Sequence, residues 1–168
     1  MTMMQFTESF RAMDTDIDVI VEASWPPSDL FISLRLLFEE QEQRFSRFRE
    51  SSLFSRLNRG ESITDPLFVR ACRLALEAHA FTGGLYNPLV LRALEEAGYS
   101  QSFDDVSGGA PRRQAVPDPR ACLAFVGESV RLKEGALDLG GIVKGGTVDL
   151  AFELFESRYP NLFINAGG

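Results

Sequence analysis

The sequence predicts an α+β fold, and three observations carry that reading. An alternating segment, Asp16–Ala23, comes near the start. Two stretches with apolar residues three and four apart follow, and short strand-like pieces with one crossing helix come last. Helices first and a meander afterwards suit a mixed or antiparallel sheet with packed helices. At 168 residues, 45% hydrophobic and with 14 Phe, the chain is long enough for one core, so a single domain over 1–168 is expected.

The elements follow in order. In Asp16–Ala23, Ile17, Val19 and Val21 alternate with Asp16, Asp18, Ile20 and Glu22, charged but for one, which predicts a half-buried strand. Trp25, Pro26 and Pro27 break it, and Ser28 or Asp29 can cap the next helix. Leu30, Phe31, Leu34, Leu37, Phe38 and Phe45 then mark the apolar face of that helix. Residues 44–60 are Ser- and Arg-rich and read as a loop. A second helix starts at Thr64–Pro66, proline suiting the first turn, and Gly83 and Gly84 end it. Asn87 and Pro88 open a short third helix that closes near Gly98. Residues 102–119, dense in Gly, Pro and Asp, read as a surface loop. Residues 122–127, 129–132 and 136–139 read as strands, with Lys133–Gly135 as a hairpin turn. A helix over Thr147–Glu156 and a buried strand over Asn161–Asn165 complete the chain.

Composition excludes several classes. A formal net charge of -7 and a pI near 4.8 argue against nucleic acid and against anionic membrane surfaces. A small anionic nucleotide stays compatible, because local dipoles and one lysine can outweigh distant charge. Cys72 and Cys122 stand far apart in no metal-ligand spacing, as two reduced thiols would. The first residues lack a basic n-region and an apolar h-region, and no stretch is long enough to span a bilayer. A soluble, cytoplasmic protein without a signal or lipoprotein leader is expected.

One run stands out. Leu137–Phe155 holds the pairs Gly140-Gly141 and Gly145-Gly146, with Asp138, Lys144 and Asp149 between and around them. Glycines let backbone approach a ligand, and a helix N-terminus suits a pyrophosphate. Neither a Walker A loop nor GxGxxG is present, so on spacing alone a structural turn and a phosphate site stay equally open.

That run, DLGGIVKGGTVD, resembles the signature of the ApbE-type FAD:protein FMN transferases, a family once tied to thiamine biosynthesis. Four more stretches agree in order: MDT at Met13–Thr15, FSRFRESSLFSRLN at Phe45–Asn58, TGGLYNPLV at Thr82–Val90 and INAGG at Ile164–Gly168. The resemblance implies an ApbE-like fold and FAD-facing roles for Met13, Phe48, Leu85, Tyr86, Asn87, Asp138 and Lys144. It implies that Gly141 offers a backbone carbonyl to magnesium. Phe48 stands where the family usually has tyrosine, so ring stacking survives and a hydroxyl is lost. Asn87 replaces an aspartate, keeping an acceptor without the charge. Structural readings stand beside these: Met13 as a strand-edge apolar residue, Phe48 as core, Asp138 as a cap, Asp149 as electrostatic support for its helix. His79, outside every motif, reads as structural.

By the same resemblance an aspartate, a histidine-bearing segment and an Asp…Thr pair should follow Asn-Ala-Gly-Gly and complete the magnesium site. None is among the 168 residues, so the C-terminal part of the fold, catalytic residues included, is expected to be missing. The implied activity is Mg-dependent transfer of FMN from FAD to a Ser or Thr hydroxyl of a target protein, releasing AMP. The alternative is an FAD-binding module without turnover, or an inactive truncated homologue.

Overall fold

The computed structural model of this chain describes residues 2–98 and 115–167. In chain order they form β1 (Met4–Ala12), β2 (Thr15–Ala23), α1 (Ser28–Phe45), α2 (Leu53–Asn58), β3 (Ser62–Ile63), α3 (Pro66–Phe81), α4 (Leu91–Glu96), α5 (Pro119–Cys122), β4 (Leu123–Val126), β5 (Ser129–Leu132), α6 (Gly140–Phe155) and β6 (Leu162–Ala166). The chain divides into two compact units, Met1–Glu42 with Val143–Gly168, and Gln43–Ile142.

In the first unit, β1, β2 and β6 form an antiparallel sheet with β2 in the middle. As alternation predicts, Ile17, Val19 and Val21 turn inward, and they meet Leu30, Leu34 and Phe38 of α1 and Leu162 and Ile164 of β6. Phe38 is fully buried and takes the Phe10 ring edge-on at 5.7 Å. Burying each such side chain stabilises by about 1.5–3 kcal/mol. Asn161–Asn165 is the strand expected, but its alternate residue Phe163 is exposed. The strand β1 was not expected: most of its residues are exposed or half-buried, so its alternation is faint in the sequence. The cap of α1 also differs. Phe31 N–H donates to the Pro27 carbonyl, while the Asp29 carboxylate accepts from the Tyr159 hydroxyl at 3.0 Å.

In the second unit, β3, β5 and β4 form another antiparallel sheet. The helix expected at Thr64–Phe81 is there: Asp65 caps α3 by accepting from Phe68 N–H at 2.9 Å, and Pro66 is its first residue. Gly83 and Gly84 follow it with φ of +59° and +87°, conformations glycine adopts without strain. Four expectations need correction. Residues 44–60 are not all loop, since Ser52 caps α2 through Ser55 N–H. The third helix starts at Leu91, because the Asn87 side chain bonds its own neighbourhood instead. Lys133–Gly135 does not turn a hairpin, because no strand follows it to pair with β5; the hairpin present is β4–β5, which turns at Gly127 with φ +57°. Residues 136–139 are extended without joining a sheet. The loop expected over 102–119 lies mostly outside the described residues; Pro119 itself opens α5.

The largest correction concerns α6, which begins at Gly140, seven residues before the expected Thr147. Glycine's poor helix propensity argues for a late start. Against it, Asp138 Oδ1 accepts from Gly140 N–H at 2.9 Å, a side-chain cap, and Val143, Thr147 and Ala151 bury one face at four-residue spacing. Capping and burial win.

Candidate functional site

Within the second unit, the motif segments are held by side chains bonding to backbone. Asn58 aligns on extended Leu137 as a strand would: its Nδ2 donates to Leu137 O at 3.2 Å, and its Oδ1 accepts from Leu137 N–H at 2.7 Å. The next residue, Asp138, donates its N–H to Pro88 O at 2.6 Å. Asp138 therefore leaves an irregular but pinned segment, and its carboxylate caps α6.

The turn from Thr82 to Asn87 is pinned as firmly. Thr82 Oγ1 accepts from Tyr86 N–H at 3.0 Å, and His79 Nδ1 lies 2.8 Å from Tyr86 O. Asn87 donates to Pro117 O and accepts from Leu89 N–H. The Tyr86 ring lies against Gly141, where a Cβ would come within 3.3 Å of its Cε2. Its hydroxyl is buried and has no hydrogen-bond partner among the described residues. Burial, then the Asp138 charge and Cys72, push the Tyr86 phenol up to about 12.

Arg47 reaches the same place. Its Nη1 lies 3.7 Å from Asp138 Oδ2, and its guanidinium carbon lies 4.8 Å from the centre of the Phe48 ring. Phe48 is 48% exposed, too open for a core residue. Arg47 and Phe48 line a cleft of about 260 Å³ with Phe54, Asn58 and Leu91. Tyr86, Asp138, Gly141, Arg47 and Phe48 are thus one neighbourhood. Leu85 stands apart at 93% exposed.

Met13 and Lys144 belong to the first unit. Met13 and Asp14 form the two-residue loop between β1 and β2, with φ of +53° and +57°. Positive φ at both positions is what a type I′ turn demands, and a residue with a side chain there costs about 1–3 kcal/mol. Met13 N–H donates to the Glu42 carboxylate at 2.9 Å, and Thr147 Oγ1 approaches Met13 Sδ at 3.8 Å. Lys144 is half-buried, the fifth residue of α6 rather than one just ahead of it. Gly145 and Gly146 sit inside the helix, and a Cβ on either would meet nothing within 4 Å. Each costs about 1 kcal/mol relative to alanine, so packing among the described residues does not require them.

A magnesium ion wants several hard oxygen ligands. Gly141 is the second residue of α6, where a carbonyl serves the helix's own ladder. Among the described residues no group of three or more His, Cys, Asp or Glu could hold a metal. These residues do not make up a magnesium site.

Sequence reasoning missed Arg47, Asn58 and His79 as parts of this neighbourhood. Two of them lie inside the FSRFRESSLFSRLN stretch, so the motif pointed at the segment without naming these two side chains.

Comparison with known proteins agrees with this architecture. The chain superimposes on the ApbE protein of Thermotoga maritima with a TM-score of 0.83 at 22% identity, covering 98% of this chain and 57% of that one. The flavin transferase ApbE of Vibrio cholerae gives 0.77 at 21%, with 99% and 58% covered. The flavinyl transferase ApbE of Pseudomonas stutzeri, in its apo form, gives 0.77 at 18%, with 99% and 59% covered. The chain thus has the α+β fold of these proteins and spans somewhat under three fifths of their lengths. No curated protein matches the sequence. The family model for ApbE matches residues 13–168, and the chain belongs to the ApbE family.

Proposed function

We propose that the chain binds FAD as the substrate of FMN transfer to a Ser or Thr hydroxyl of a target protein. The acceptor hydroxyl gives up its proton to water as its oxygen attacks the FMN phosphorus, a new P–O ester bond forms, the pyrophosphate P–O bond breaks, and AMP leaves. One observation carries the ligand reading: the buried Tyr86 hydroxyl has no partner among the described residues, while the nearby Thr82, Asn87 and Asp138 side chains have theirs. A buried unsatisfied hydroxyl is costly, and a bound nucleotide with many acceptors relieves it. The half-exposed Phe48 supports a ring platform, and the uncovered Gly145–Gly146 backbone supports a close-approaching ligand.

The roles follow from chemistry. Phe48 and Tyr86 flank aromatic rings, Leu85 and Met13 add apolar contact, and Lys144 opposes pyrophosphate charge. Asn87 acts through the backbone that it fixes. Magnesium, which the family resemblance implies, supplies charge neutralisation on the pyrophosphate when bound. The described residues do not assemble its ligands.

A second reading is an FAD-binding module without transfer, which the Phe48 and Tyr86 neighbourhood fits equally well. Incubation with FAD, magnesium and an acceptor peptide separates the two. FMN-peptide and AMP support transfer, FAD binding without AMP supports the module, and absence of FAD binding refutes both.

A further inference from the structure

We infer that Arg47 sets the charge of this neighbourhood: its guanidinium cancels the Asp138 carboxylate so that a phosphate-bearing ligand can lie beside it. The inference deepens the flavin-nucleotide reading and rests on it. Asp138 presents a problem for any anionic ligand. Its side chain is only 16% exposed, and water screens a carboxylate poorly there. Left alone, such a charge would repel a pyrophosphate.

The geometry answers the problem within the second unit. Oδ1 of Asp138 is committed to Gly140 N–H at 2.9 Å, which turns Oδ2 toward Arg47 Nη1 at 3.7 Å. The Arg47 side chain is itself 13% exposed, so the pair is shielded together. The same guanidinium carbon lies 4.8 Å from the Phe48 ring centre, within cation–π range. One planar group thus balances the carboxylate and steadies the half-exposed ring. Lysine can supply the charge but not the planar stacking.

A residue that only staples the fold would affect all ligands alike. Charge compensation instead discriminates phosphate-bearing ligands from uncharged ones. The test is therefore a set of dissociation constants for FAD, ADP and riboflavin on wild type, Arg47→Gln and Arg47→Lys. Arg47→Gln should weaken FAD and ADP by about 10- to 100-fold, the span of a charge-assisted contact, and riboflavin, which feels only the loss of ring support, by much less. Arg47→Lys should recover most of the FAD and ADP affinity. Equal losses for all three ligands, or no loss for FAD, would overturn the inference.

A second measurement stands independently of ligand. In urea unfolding, Arg47→Gln should lower the midpoint and Asp138→Asn added to it should restore part, since asparagine still caps a helix. Strictly additive effects would overturn the pairing. If wild type binds none of the three ligands, the flavin reading falls, and the urea cycle alone decides whether Arg47 neutralises Asp138.

Discussion

The two units of this chain use different physics to hold their backbones. The first is a regular sheet whose hydrogen bonds are strand to strand, with Ile17, Val19, Val21, Leu34 and Phe38 filling its core. The second contains irregular motif segments, and there side chains supply the backbone's partners: Asn58 for Leu137, Thr82 and His79 for Tyr86, Asn87 for Leu89 and Pro117. Apolar packing tolerates swaps of similar volume, whereas a pinned segment depends on individual donors and acceptors. A segment of irregular backbone is therefore the more sensitive of the two to a single polar substitution.

Phe38→Ala tests the first half of this contrast and should have the largest effect. The side chain is fully buried between sheet and helix, so its loss should destabilise by about 3–5 kcal/mol in urea unfolding. A loss below about 1 kcal/mol, the range of ordinary surface changes, would mean that packing does not carry the first unit.

Asn58→Ala tests the second half. It strands the Leu137 N–H and carbonyl, and removes a second donor from the Phe54 carbonyl that the helix already serves, at a cost of about 1–3 kcal/mol. Asn58→Asp should do no better, because a carboxylate would face those carbonyls. Amide exchange at Leu137 reads the effect directly: protection should fall in both variants. If Asp keeps wild-type protection, the donor half of the amide is not what pins the segment.

These contrasts explain what the sequence made legible. The helices α1 and α3 and the strand β2 were readable because burial imposes a period on neighbouring residues. The strand β1 was not, since an edge strand with little buried surface leaves a weak period. The start of α6 was misplaced because two glycine pairs mask a cap and an apolar face. In the site, motif likeness reached Tyr86, Phe48 and Asp138, while Arg47 acts on a residue about ninety positions later and Asn58 on one 79 positions later. Such pairings have no local signature.

Lys144→Ala sharpens the comparison at the glycine-rich helix. Because α6 begins at Gly140, Lys144 lies beyond the first turn, where the helix dipole acts weakly. If Lys144 opposes the pyrophosphate, FAD affinity should fall by about 10- to 100-fold. Unchanged affinity would remove Lys144 from the ligand's charge balance.

The smallest expected effect is the most particular to the pinned unit. Tyr86→Phe removes a buried hydroxyl that has no partner among the described residues, so stability without ligand should be unchanged or rise by up to about 1 kcal/mol at neutral pH. The same variant should weaken FAD binding, since the orphaned group is the one a ligand would satisfy. Its pH dependence follows from the phenol. Burial and the Asp138 charge raise it to about 12, so the folded state holds this proton more tightly than the unfolded state, whose phenol titrates near 10. Stability from this source is complete below pH of about 10 and is lost as pH rises toward 12. Cys72, pushed up to about 12 by burial alone, contributes in the same direction from a lower starting point. Unfolding of Tyr86→Phe between pH 9 and 12 should therefore retain the thiol's slope and lose the phenol's. A slope identical to wild type would mean that the Tyr86 hydroxyl is already solvated, and would count against the observation on which the ligand reading rests.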